Sequence, residues 1–222
     1  MSTDRELLMA PVERLVFFSD AAVAIALTLL ILPLMDGVGQ AANEGLSAVG
    51  YLSQNANALF SFALSFAIIA RYWRAHHRLF ADVERETRGL FWLNMAWLAA
   101  MVALPVATAM TGSLKHDPVQ YAIYIGTMLT ASAFLTAMIW LLRRHPEAWA
   151  PGHSVPVSRL RASLVNVLLL VLALTLALLI PGAGYWALLT LAAVRPARWA
   201  LDRLLDGKPT PTPSLVVEDA DA

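Results

Sequence analysis

The sequence predicts an all-α membrane protein of six transmembrane helices, and three observations carry that prediction. Hydrophobic residues make up 59% of the 222-residue chain, which is too apolar for an ordinary soluble domain and too regularly apolar for a disordered one. They gather in six stretches near 15–35, 52–73, 89–110, 119–142, 162–180 and 183–204. Each approaches the roughly 20 residues that a helix needs to cross a hydrocarbon core of about 30 Å. The arginines and lysines fall almost wholly into alternate connections.

Before the first span, residues 1–13 are charged and no small-residue cleavage site follows a short apolar core, so the first helix reads as retained. The first five spans are continuous. The sixth is clean only from Ala183 to Val194, before Arg195 and Pro196 interrupt it. Beyond Lys208 the run Pro209-Thr210-Pro211-Thr212-Pro213 and the acidic end cannot continue a helix or bury a core. The expected division is a six-helix transmembrane domain over 1–208 and a disordered cytoplasmic tail over 209–222.

Orientation follows from the cations, because arginine- and lysine-rich loops stay on the cytoplasmic side during insertion. Arg71, Arg74, Arg78, Arg85 and Arg88 surround the second connection, and Arg143, Arg144, Arg159 and Arg161 the fourth. Arg5 and Arg14 precede the first span, while Arg195, Arg198, Arg203 and Lys208 accompany the last. With only Lys115 on the other side, both termini are expected in the cytoplasm, which requires an even number of spans. The pattern suits a bacterial inner membrane.

Other chemistries are thinly supported. The chain has no cysteine, which excludes disulfides, zinc-thiolate sites, iron–sulfur clusters and thiol catalysis. Its formal charge is zero, and nothing points to nucleic acid. No nucleophile with a base, catalytic carboxylate pair or phosphate-binding glycine loop can be assembled. The chain therefore reads as a non-enzyme with no cofactor and no small-molecule substrate. His76 and His77 beside several arginines do not by themselves make a metal site. Val49-Gly50-Tyr51 echoes a carbonyl potassium filter but lacks its flanking threonine and final glycine. Apart from Trp73, the tryptophans read as interfacial anchors.

The informative residues lie in the first helix. Ser19 and Asp20 sit inside an apolar segment, where a charge costs on the order of 2.5–3.5 kcal/mol and so faces a bundle interior or water. At about 100° per residue, Ile25, Leu29 and Leu32 share one side with Thr28, whereas Asp20 lies roughly 140° from Ile25. If that stripe faces a pore, Asp20 packs against neighbouring helices. Trp73 and His77 share one face of the second helix, and Asn94 near the start of the third reaches the same depth. An inner-leaflet polar cluster is therefore expected.

Arg14-x-x-x-Phe18-Ser19-Asp20, followed by Ala24-Ile25-Ala26-x-Thr28-Leu29-Leu30, resembles the signature of the transmembrane-protein-175 family of potassium channels. The likeness extends to Trp73-x-x-His76-His77-Arg78-Leu79-Phe80 and to Asn94 with Leu104-Pro105. It implies a homotetramer whose first helices line a central pore, with aliphatic rings at Ile25, Leu29 and Leu32 forming the constriction for permeant K+ and Thr28 adding a hydroxyl near the filter. It further implies that Arg14, Phe18, Ser19, Asp20, Trp73, His77 and Asn94 form a structural and gating network. Ala21 and Pro33 depart from the pattern, which usually has glycine after the aspartate and often a carboxylate beyond the leucines.

Plainer readings stand beside these. The aliphatic stripe alone is ordinary helix-packing surface, and Asp20 with His77 could instead serve a proton-coupled secondary transporter. A membrane scaffold that uses its proline-rich tail is a third reading. The resemblance favours the channel.

Overall fold

A computed structural model describes residues 12–113, 117–180 and 184–206, and the statements below concern these. The chain runs α1 Glu13–Leu29, α2 Leu32–Asn43, α3 Ala48–Gln54, α4 Ala56–Phe80, α5 Arg88–Ser113, α6 Pro118–Arg144, α7 Val157–Leu179 and α8 Val194–Asp206. Short 3₁₀ helices lie at Pro146–Ala148 and Gly184–Ala193. Among the described residues there is no β-strand, only an isolated bridge between Val83 and Trp149.

Five segments are long and apolar enough to cross a membrane: Glu13–Asn43, Ala56–Phe80, Arg88–Thr111, Pro118–Arg144 and Val157–Leu179. The first comprises α1 and α2, and it outruns the expected 15–35. Its break falls at Leu30 and Ile31 because Pro33 lacks the N–H that would reach the Leu29 carbonyl four residues back. The Leu34 and Met35 amides both turn to the Ile31 carbonyl, at 3.1 Å.

The stretch between the first two expected spans, residues 36–51, is largely helical. The Ser47 hydroxyl caps α3 by accepting from the Gly50 amide at 3.2 Å, and Tyr51 donates back to the Leu34 carbonyl at 2.5 Å. Val49, Gly50 and Tyr51 are therefore helical, a geometry in which their carbonyls run along the helix axis.

Helix α6 is the hub, packing on α5 and α7, while α1 packs on α5 and α4. Lipid supplies no hydrophobic force between helices, so close packing and hydrogen bonds must hold them. Small buried residues do the first: Ala100 and Ala107 on α5, Ala131 on α6, Ala173 and Ala177 on α7. Hydroxyls do the second. Tyr72 approaches Ser132 at 2.7 Å, Ser65 approaches Tyr124 at 3.0 Å, and Thr108 lies 2.8 Å from Ser65.

Both arginine-rich connections lie at one end of the bundle and touch. The Glu84 and Arg85 amides donate to the Ala148 carbonyl at 2.9 and 3.2 Å, and the Ala150 amide to Asp82 at 3.0 Å. Arg159 reaches the Arg78 carbonyl at 3.2 Å.

The sixth apolar segment is not one α-helix. Residues Gly184–Ala193 wind as 3₁₀ helix before α8 begins at Val194. Ten residues rise about 20 Å in that form, against about 15 Å as α-helix, so a short apolar run is stretched. Its start depends on Gly184, whose φ is +42° and where a Cβ would come within 2.9 Å of the Tyr121 hydroxyl. Pro181 and Gly182 between the fifth and sixth expected stretches, Lys115 and the tail over 209–222 lie outside the described residues.

Candidate functional site

Helix α1 presents two faces. Leu15, Ser19, Val23 and Ala26 are buried against the rest of the subunit, a spacing of three and four that continues through Leu30 and Leu34. The opposite face is uncovered: Ile25 is 59% exposed, Leu29 37% and Leu32 48%, with Thr28 also exposed. The Thr28 hydroxyl donates to the Ile25 carbonyl at 2.8 Å, which leaves its oxygen lone pairs turned outward as acceptors. Because Pro33 interrupts the ladder between Leu29 and Leu32, the lower two aliphatic positions sit on α1 and the third on α2.

A polar clamp holds the buried face. Ser19 donates to the Leu15 carbonyl at 2.7 Å and accepts from Asn94 Nδ2 at 2.8 Å. With that amide nitrogen donating, Asn94 Oδ1 accepts from His76 Nε2 at 2.7 Å. Three helices are thereby joined by one asparagine, itself fully buried. The His76 ring is sandwiched between Trp97, at 4.3 Å between centroids, and Phe80, at 4.4 Å. Its Nδ1 is buried without a hydrogen-bond partner among the described residues.

Asp20 lies beside this clamp and accepts from Trp73 Nε1 at 2.8 Å. Indole donation to a carboxylate is a charge-assisted bond, stronger than a neutral one, and it ties α1 to α4 a second time. The structure thus brings Ser19, Asp20, Trp73 and Asn94 together. His77 stands apart from the clamp: it is exposed and lies 5.6 Å from the Trp73 ring. Arg14 and Phe18 lie on the uncovered face of α1.

The histidine that the sequence reading missed as a clamp residue is His76. Its signal was present in the spacing of Ser65, Ile69, Tyr72, His76 and Leu79, all buried on one face of α4, on which His77 cannot lie at about 100° further round. No group of three or more histidine, cysteine, aspartate or glutamate side chains gathers among the described residues to hold a metal ion.

A bundle of long apolar helices, joined through buried amide, imidazole and hydroxyl groups, defines a multi-pass integral membrane protein. Residues 14–105 match the family described as endosomal/lysosomal potassium channel TMEM175. The chain is 33% identical over 150 residues to a potassium channel of Streptomyces collinus, covering 64% of this chain and 69% of that protein. It is 29% identical over 122 residues to a potassium channel of a Chryseobacterium species, covering 54% and 60%. Against the endosomal/lysosomal proton channel TMEM175 of Homo sapiens it is 36% identical over 112 residues, 48% of this chain but only 22% of the human protein. The chain belongs to the TMEM175 family, a family of ion channels and not of enzymes.

Proposed function

We propose that this protein is a potassium-selective cation channel whose pore is lined by the first helix of four identical subunits. One observation carries the reading: the aliphatic stripe of α1 is left uncovered by its own subunit, while the opposite face is clamped by Ser19, Asn94 and His76. An apolar stripe alone would suit lipid equally well. A stripe on a helix whose opposite face is hydrogen-bonded to two neighbouring helices, within a channel family, suits a pore wall that must keep its register. Four copies about a closed symmetry axis then bring Ile25, Leu29 and Leu32 into rings.

Rings of aliphatic side chains pass ions by radius and hydration cost, and they close by dewetting. The outward Thr28 oxygen adds an acceptor between the Ile25 and Leu29 levels. Arg14 and Phe18 continue the same face towards the cytoplasmic entrance, and Asp20 with Trp73 fixes the helix against α4. In this reading the 3₁₀ segment and the start of α8 form a sixth span, and the arginine-rich connections support cytoplasmic termini, a pattern that suits a bacterial inner membrane. Basic, tryptophan-bearing α8, in which Arg203 lies 3.8 Å over the Trp199 ring, has the composition of an interfacial helix.

Proton conduction is the second reading, favoured by the name of the vertebrate relatives. Liposome flux separates the two. A potassium gradient should drive cation flux without an applied pH gradient, and Leu29→Asn, which wets the constriction, should raise the flux of sodium more than that of potassium. Flux driven only by a pH gradient would favour the proton reading, and no flux from verified tetramers would reject the channel.

A further inference from the structure

A groove of about 390 Å³ opens along the outer side of α6 and α7. Its walls are Ala133, Ala137 and Trp140 on α6, with Leu160, Leu164 and Val167 on α7. The two alanines create the space, and the polar pair beneath them is already satisfied, since Thr136 and Ser163 lie 2.6 Å apart. Nothing in this groove asks for a polar ligand; it suits a hydrocarbon chain.

Its arginine-side end is different. Arg144 lies over the Trp140 ring at 4.0 Å, so a wall of the groove holds a cation above the opening. One turn on from Trp140 and Leu160, the same seam continues into a more polar cleft of about 310 Å³ bordered by Arg143, Ser154 and Val157. Arg143 is anchored there by donating Nη1 to the Val155 carbonyl at 2.5 Å, and four donors of its guanidinium remain. From 143 to 161 the chain carries four arginines and one acidic residue, Glu147, which His145 engages at 2.8 Å. An apolar slot that ends at two positioned cations is complementary to one molecule of the bilayer.

The geometry points to the α6–α7 groove as a binding site for an anionic phospholipid, one acyl chain lying between the helices and the phosphate held by Arg143 and Arg144. Zwitterionic lipids carry a compensating cation in the headgroup and gain less from this pair. The site does not depend on which ion the protein conducts.

Native mass spectrometry of the detergent-purified full-length protein, titrated with dioleoyl phosphatidylglycerol or dioleoyl phosphatidylcholine, tests it. The wild type should retain phosphatidylglycerol at least about fivefold more tightly, the worth of one arginine near an anionic headgroup. Arg143→Gln with Arg144→Gln should abolish that preference, Ala137→Phe should displace both lipids by filling the slot, and Arg195→Gln should change nothing. Equal retention of the two lipids by the wild type would overturn the proposal, as would a preference that survives both groove variants. So would loss of the oligomer in Ala137→Phe with no lipid effect, which would make the groove a contact between subunits.

Discussion

His76 and His77 are adjacent in sequence and opposite in circumstance. The first is stacked between two aromatic rings and bonded to Asn94; the second is exposed. His76→Ala opens a cavity between Trp97 and Phe80 and leaves Asn94 Oδ1 without its donor, so it should destabilise the protein by about 2–4 kcal/mol. His77→Ala should stay within about 0.5 kcal/mol. Thermal unfolding in detergent measures both, and equal effects would contradict the clamp. Asn94→Leu strands the partners on both sides and should cost about 1–3 kcal/mol. Ser19, Asp20 and Asn94 were legible because polar groups in apolar helices need partners. The choice between the two histidines was less so, since the Trp73–His77 spacing of four drew attention to a face that the subunit leaves open.

At the scale of elements, the apolar stripe of α1 was readable from helical arithmetic, whereas its length was not. Hydropathy marks where a helix meets lipid and not where it ends, so Asp36, Gln40 and Asn43 continue α2 past the expected boundary. The break before Leu32 has its cause in Pro33. Pro33→Ala restores an N–H for the Leu29 carbonyl and should straighten the segment, which changed single-channel conductance with unchanged thermal stability would reveal. The sixth segment was harder, because its apolar run is short and its 3₁₀ winding depends on Gly184 against Tyr121. Gly184→Ala imposes both a strained φ and a close contact, and should lower stability by about 1–3 kcal/mol.

The whole molecule is a bundle whose two arginine-rich connections meet at one end, a consequence of alternating spans that the charge pattern already contained. The pattern also requires an even number of spans, although the last is neither long nor one α-helix. The absence of cysteine makes single introduced thiols clean reporters. Asp82→Cys and Ser214→Cys should both react with an impermeant reagent from the cytoplasmic side, and Asp36→Cys from the other; labelling of Ser214→Cys and Asp82→Cys from opposite sides would mean an odd number of spans. The proposed assembly rests on family likeness alone, because a stripe that lines a pore and one that faces lipid have the same composition.

The reversal potential under opposed potassium and sodium gradients, recorded for purified protein in planar bilayers, tests the central claim most directly. The account predicts a reversal displaced towards the potassium equilibrium potential for the wild type, and a displacement reduced in Ile25→Asn, whose amide lets water and sodium into the lowest ring of the aliphatic constriction, nearest the clamp. A reversal that does not move between the two proteins, or that follows only the proton gradient, would contradict it.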